Sequence, residues 1–193
     1  MMRARLVTGF AALLSLTVAG QAVSADMSPV GLWQAVDPDT KQPTGWFAIT
    51  EQNGIYDGTL VKMFLQPGED PNIVCDKCKD DRHDQPWLGL QIIRGMKPDS
   101  EDQNKYAGGT ILDPRDGNVY SAMMTLAPDG QTLIIRGYLG ISLLGRNEYW
   151  TRLPDSDYSM LDPSIKSALG PTNMPNAPVP AGKPSPPAKS MHR

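Results

Sequence analysis

Residues 45–65 read GWFAITEQNGIYDGTLVKMFL. Two runs rich in aromatic and β-branched residues flank the dipeptide Asn53-Gly54. Asn-Gly between such runs is the strongest short-range signal for a hairpin, because both central positions of the tight turn need a positive φ. The stretch therefore predicts two antiparallel strands, residues 45–51 and 55–65.

Six further runs with strand composition flank this hairpin, and clusters of Asp, Pro and Gly separate most of them. The six runs are residues 30–36, 87–96, 106–112, 119–126, 132–141 and 146–153. Regularly spaced strands without long helical periodicity indicate a sandwich or a barrel. We favour an all-β fold, an antiparallel up-and-down β-barrel of about eight strands, because closure removes exposed strand edges.

The N-terminal residues 1–25 have the three parts of a cleavable signal peptide. Arg3 and Arg5 precede an apolar run over residues 6–20, and Val23-Ser24-Ala25 is a small-residue cleavage site. The apolar run is shorter than the ~20 residues that span a bilayer. We expect cleavage after Ala25, a periplasmic or secreted protein, and no transmembrane segment after cleavage.

The C-terminal end has a different composition. Residues 170–193 contain seven prolines and almost no large apolar side chains, so a disordered tail is expected, either a spacer or a Pro-x-x-Pro partner motif. Pro163 and Gly170 bracket a predicted short helix, residues 163–169. The predicted organisation is a β-barrel domain over residues 26–153, a linker with this helix over 154–169, and the tail.

The charge balance excludes some partners. Without Arg3 and Arg5 the chain keeps 18 − 2 = 16 basic residues against 21 acidic residues, a net charge of −5. Nucleic-acid binders usually carry a basic face, so no nucleic acid is expected. Attraction to anionic lipid is not expected either.

The chain has two cysteines, Cys75 and Cys78, in the polar segment 74–84. Three interpretations compete: a structural disulfide, a metal site with His83 and a carboxylate, and a redox pair. A redox pair needs a helix within a βαβ unit, and a zinc site usually has a second ligand pair. Export favours the disulfide, in an otherwise solvated loop, and we predict no metal and no cofactor.

The sequence offers no motif that would identify a catalytic site. The sequence has no Gly-x-Ser-x-Gly elbow and no phosphate-binding glycine loop. We assign no catalytic residues and favour a non-catalytic protein, with an enzyme as the open alternative.

Arg94 and Arg136 each follow a pair of isoleucines in a predicted strand. Such an arginine either faces water or points into the barrel to meet an anion. Asp113, at the end of a strand, either starts the turn before Pro114 or is a buried partner of Arg136. The inward alternative makes Arg94, Arg136 and Asp113 candidate ligand-binding residues at the polar end of a partly open barrel.

Several motifs together resemble the DUF2147 family over residues 29–153. They are Gly31-Leu32-Trp33, the Cys75-x-x-Cys78 loop, GGTILDP at 108–114, RGYLGI at 136–141 and Trp150-Thr151-Arg152. The resemblance implies a small exported bacterial protein, and it carries over no functional residues.

Gly31-Leu32-Trp33 on the first strand and Arg152 on the last are also similar to lipocalins and their calycin relatives. In those proteins an arginine of the last strand lies across the tryptophan of the first. The resemblance implies a lipocalin-like barrel that Trp33 and Arg152 help to close.

Three functional hypotheses follow. The first is a barrel that binds a small apolar or amphipathic ligand in its mouth. The second is an interaction or envelope-maintenance module with a solid core, and the third is an enzyme. The barrel interior separates the first two, because a barrel of eight strands is either filled by its own side chains or holds one small ligand.

Overall fold

A computed structural model describes residues 28–170. Eight antiparallel strands form a closed barrel in chain order. The strands are β1 (Gly31–Val36), β2 (Pro43–Gln52), β3 (Ile55–Met63), β4 (Gln91–Pro98), β5 (Lys105–Asp113), β6 (Asn118–Leu126), β7 (Thr132–Tyr138) and β8 (Arg146–Arg152). The predicted up-and-down barrel is confirmed. The predicted signal peptide, residues 1–25, and all but the first residue of the predicted tail lie outside the described residues.

The predicted hairpin turn has the expected backbone. Asn53 and Gly54 have φ angles of 54° and 76°, as a tight turn with two left-handed positions requires. Most strand bounds agree with the prediction to within two residues, and two differ by more. β4 starts at Gln91 and not at Trp87, because Trp87 and Leu90 form a turn through the Leu90 N–H and the Trp87 carbonyl. β7 ends at Tyr138, and residues Ser142–Leu144 form a 3-10 turn in place of further strand.

The barrel interior is filled with large side chains. Trp33 has no exposed surface and Trp150 is 1% exposed, and the Trp150 ring stacks on Phe47 with ring centroids 4.2 Å apart. Further buried residues of this core are Ile49, Ile93, Met96, Tyr106, Ala122, Met124, Leu126, Leu133 and Ile135. The barrel is therefore a solid scaffold, one of the two outcomes open to an eight-stranded barrel.

A second apolar cluster covers the outside of β1 to β3. Leu32, Trp46, Ala48 and Val61 on the strands pack with Tyr158, Leu161, Ile165 and Leu169 of the C-terminal segment. That segment contains a 3-10 helix (Asp155–Met160) and the helix α1 (Pro163–Leu169), whose N-cap Asp162 accepts from the Ser164 N–H. The predicted helix is confirmed. Its residues pack on the barrel, whereas the sequence indicated a linker.

Candidate binding surface at the loop end of the barrel

Up-and-down order separates the connections into two sets. Four connections lie at one end of the barrel: residues 37–42, 64–90, 114–117 and 139–145. We call this the loop end. The opposite end carries the tight turn at Asn53-Gly54 and two other short connections. Longer loops on a rigid scaffold are where binding residues are usually found, so the loop end is the first place to look for a site.

The β3–β4 connection is fastened by the predicted disulfide. Cys75 and Cys78 are joined and buried in the main core cluster, so the prediction of a disulfide is confirmed. The Cys75 N–H also donates to the Gln85 carbonyl. Within residues 28–170 no three His, Cys, Asp or Glu side chains are grouped so that they could hold a metal ion.

Arg82 is a structural residue that sequence reasoning missed. Its side chain is 4% exposed; Nε and Nη2 donate to Asp80, and Nη1 donates to the Gln91 carbonyl, 3.0 Å away, at the start of β4. Hydrogen bonding from Arg82 lowers the pKa of Asp80 to about 2. The expectation of a solvated loop is therefore wrong at this position, because a guanidinium with its donors paired tolerates burial. The spacing of Asp80 and Arg82 in the sequence was the available signal for this pair.

The disulfide loop packs against the β5–β6 turn. The Lys77 ammonium donates to the Arg115 carbonyl over 2.9 Å, and a Cβ on Gly117 would lie 1.9 Å from the Lys77 carbonyl oxygen. Asp113 accepts from Nε and Nη2 of Arg115 at 2.9 and 2.6 Å. Asp113 therefore organises its own turn. The alternative in which it is a buried partner of Arg136 is wrong, because Arg115 occupies its carboxylate.

A groove of about 500 Å³ lies between this loop and this turn. Its walls are mixed: Asp70, Asn72, Ile73, Val74, Asp76, Lys77, Trp87, Pro114 and Arg115. The indole Nε1 of Trp87 is buried and has no hydrogen-bond partner among the described residues. The groove therefore combines apolar walls and both signs of charge, and one of its lining residues, Trp87, holds a buried N–H without a partner.

Arg94 lies on the outer face of β4. Successive strand residues point to opposite faces, and Ile93 is fully buried in the core. Arg94 makes two hydrogen bonds to Asp81 of the β3–β4 connection, at 2.7 and 2.9 Å. These bonds raise the pKa of Arg94 and lower that of Asp81. The inward orientation of Arg94 is therefore wrong.

Arg136 also lies on the outer face, where it pairs in register with Met123 and Asn147 while Ile135 fills the core. Its Nε donates to the Ser142 carbonyl at 2.7 Å and its Nη2 to the Leu143 carbonyl at 3.1 Å. The alternative in which Arg136 points inward is wrong as well. Arg136 instead holds the β7–β8 loop.

That loop, residues 139–145, carries four large aliphatic side chains that face solvent. We call it the apolar loop. Leu139, Ile141, Leu143 and Leu144 are 68%, 60%, 81% and 76% exposed. Exposed apolar patches usually mark interaction sites. Sequence reasoning missed this one because part of the stretch resembled a strand; the run of aliphatic residues around Gly140 and before Gly145 was the available signal.

Trp33 and Arg152 lie toward the other end of the barrel, where β1 begins and β8 ends. The guanidinium carbon of Arg152 is 4.3 Å from the centre of the Trp33 ring. Arg152 also donates to the carbonyls of Ser28, Val30 and Gly130. The pair therefore closes the barrel and takes no part in the loop end.

Comparison with known proteins identifies the family and the fold of this chain but gives no activity. Residues 31–152 match a family model described as an uncharacterized protein conserved in bacteria, DUF2147. A solved structure of the Helicobacter pylori protein HP1028, described as belonging to the lipocalin family, is similar with a TM-score of 0.57 at 16% identity. The similarity covers 69% of this chain and 89% of that chain. No curated protein gives a significant match. No helix within residues 28–170 is long and apolar enough to cross a membrane.

Proposed function

This chain belongs to the DUF2147 family, and on that premise we propose that it is an exported, non-catalytic bacterial protein that binds its partner at the loop end. The filled barrel is the observation that carries this proposal. Trp33, Phe47 and Trp150 occupy the space in which a lipocalin-like barrel would hold a ligand. The barrel serves as the scaffold, and its interaction features are the groove and the apolar loop.

Export is the first part of the proposal. The charged, apolar and small-residue parts of residues 1–25 support it. The Cys75–Cys78 disulfide also supports it, because disulfides persist mainly in oxidising compartments. N-terminal sequencing of the exported protein should begin at Asp26. An uncleaved chain in the membrane fraction would contradict this part.

A second candidate function is binding of a small amphipathic ligand in the groove. Ile73, Val74 and Pro114 offer apolar wall, and Trp87 has a buried N–H without a partner. Leaving such a donor unpaired costs about 1–3 kcal/mol. A ligand oxygen that reached this donor after a small movement of the indole would recover that cost. Small-molecule sites commonly combine apolar walls with a few polar groups in this way.

Two measurements separate the candidates. Native mass spectrometry of the protein purified from its own periplasm shows whether a small molecule is retained. Displacement of a fluorescent fatty acid, on the wild type and on Trp87→Phe, shows whether the groove binds it. The interaction module predicts the mass of the mature chain alone and no saturable binding. Saturable binding that Trp87→Phe weakens would favour the second candidate.

Binding of a partner at the loop end is tested with a photo-crosslinking amino acid in the living cell. We place it at Leu143 in the apolar loop and, as the matched control, at Asn53 in the exposed turn of the opposite end. Crosslinks to an envelope component are expected from position 143 and not from position 53. Equal yields from both ends would contradict binding at the loop end.

A further inference from the structure

The apolar loop presents aliphatic side chains to water on a loop of seven residues. Its four large side chains are between 60% and 81% exposed. None of its residues belongs to the second cluster, whose strand residues pack with the C-terminal segment. Nothing among the described residues covers these four side chains, so an occupant of this surface would come from outside them.

The loop is held in one shape. Arg136 on the outer face of β7 donates to the Ser142 and Leu143 carbonyls and, through Nη1, to the Asn147 side chain at 2.6 Å. A loop that is already ordered loses little conformational entropy when it binds. The sequence thus keeps the aliphatic side chains exposed and preorganised.

Part of the loop backbone is paired within the loop. The Leu144 N–H donates to the Ile141 carbonyl at 3.3 Å, and the Gly145 N–H donates to the Ser142 carbonyl at 3.0 Å. Together with the bonds from Arg136, these contacts satisfy two N–H groups and the carbonyls of Ile141, Ser142 and Leu143 without water. Backbone that enters hydrocarbon needs every polar group paired, so the backbone of this loop stays among hydrated headgroups and only its aliphatic side chains can reach hydrocarbon.

Two tyrosines and one arginine, residue types common at membrane interfaces, lie near the base of the loop, beside exposed Asn147 and Glu148. Tyr149 is exposed on β8, Tyr138 is half-buried at the end of β7, and Arg146 is exposed at the start of β8. Tyrosine is enriched at the level of lipid headgroups. Arginine places its apolar stem along hydrocarbon while its charge stays in water.

We propose that the apolar loop docks the barrel on a lipid bilayer by inserting its aliphatic side chains at the boundary between headgroups and acyl chains. The inference rests on the proposed function, because it names the partner of the loop end. Four side chains on one loop are far fewer than the ~20–30 residues that each partner contributes to a standard protein interface. A lipid surface does not need that many contact residues, because the strength of interfacial binding scales with the apolar surface inserted.

Anionic lipid is not needed in this arrangement. The chain without residues 1–25 carries a net charge of −5, so a negative bilayer surface repels the protein as a whole. Insertion of apolar side chains then provides the attraction. Binding to neutral phosphatidylcholine vesicles should be at least as strong as binding to vesicles that contain phosphatidylglycerol.

Vesicle flotation with the full mature chain tests the inference. The double variant Leu143→Gln/Leu144→Gln changes two of the most exposed side chains, so folding is expected to be unaffected. Its partition onto phosphatidylcholine vesicles should fall at least tenfold. The control Met160→Gln changes an exposed apolar side chain outside the loop, 57% exposed, and should bind like the wild type.

A fluorescence experiment reports whether the loop enters the bilayer. In Leu143→Trp the new indole should shift its emission to the blue on vesicles and be quenched by brominated lipid. Trp33, Trp46 and Trp150 are buried and Trp87 is half-buried beside the groove, so the wild-type emission is the baseline from which the signal of the new indole is measured. A new indole that stays in water on bound vesicles would overturn the inference.

Failure of the inference and failure of the proposed function can be told apart. Crosslinks from position 143 to a protein, without flotation, would overturn lipid docking and leave the loop end as the binding surface. A dimer lost in the double variant, again without flotation, would overturn lipid docking in favour of a second copy. No flotation and no crosslinks would overturn both.

Discussion

The Arg152 guanidinium on the last strand lies across the Trp33 ring on the first, with Cζ 4.3 Å from the ring centre. The same guanidinium donates to three carbonyls, and the Trp33 indole N–H donates to the Pro29 carbonyl at 2.8 Å. The two residues also pair in register, at the point where β1 meets β8. One contact thus joins the two ends of the sheet into a barrel.

Arg152→Ala should destabilise the protein by about 2–4 kcal/mol, since it removes charged hydrogen bonds and a cation–π contact together. Urea denaturation followed by tryptophan fluorescence measures the change. Arg146→Ala, at the exposed start of the same strand, should change the free energy of unfolding by less than about 0.5 kcal/mol. Equal effects of the two variants would contradict the closing role of Arg152.

Gly117→Ala should separate the disulfide loop from the β5–β6 turn. The new Cβ would overlap the Lys77 backbone, and Gly117 has a φ of 72°. We expect a loss of about 2–5 kcal/mol from strain and overlap. Gly108→Ala is the matched control, because its φ is 77° but open space surrounds its Cβ position. That variant should lose only about 1–2 kcal/mol by chemical denaturation.

Removal of the disulfide in Cys75→Ala/Cys78→Ala should cost about 2 kcal/mol, a modest value because the closed loop is so short. Denaturation with and without reductant measures the difference in the wild type, and the double variant should be insensitive to reductant. Thiol titration of the exported protein under denaturing conditions should find no free thiol. Two free thiols, or stoichiometric zinc that survives dialysis, would contradict the disulfide.

The Asp80–Arg82 pair predicts a loss of stability in acid. Because Arg82 lowers the pKa of Asp80 from 3.8 to about 2 in the folded protein, the contribution of this pair is complete above about pH 4. It disappears as the pH falls toward 2. The Asp80 side chain is 37% exposed, so solvent screening limits the contribution to about 1 kcal/mol. Asp80→Asn should remove this part of the pH dependence, measured by denaturation between pH 2 and 5.

Arg136→Ala should loosen the apolar loop without unfolding the barrel. The Ser142 and Leu143 carbonyls lose their donors, so amide hydrogen exchange over residues 141–145 should become about tenfold faster by local opening. Arg94→Ala should leave exchange in this loop unchanged, because Arg94 contacts the β3–β4 connection. Faster exchange throughout the barrel would indicate a global role for Arg136.

The sequence by itself determined the local structure. Asn53-Gly54 specified its hairpin because a tight turn needs two positive φ angles. Alternation on β6 placed Met124 and Leu126 in the core. Pro163 and Gly170 bracketed the helix that the structure contains. Each of these signals acts over a few residues, which is why a single sequence can carry it.

Only the tertiary structure decided which charged residues are buried and which apolar ones are exposed. Arg82 comes from a polar loop and is buried, because that loop folds back onto β4. Arg136 follows two isoleucines and faces outward, because its neighbour Ile135 fills the barrel. Leu143 is exposed because the strand ends at Tyr138 and the chain turns away. These outcomes depend on contacts between segments distant in sequence, which no local pattern specifies.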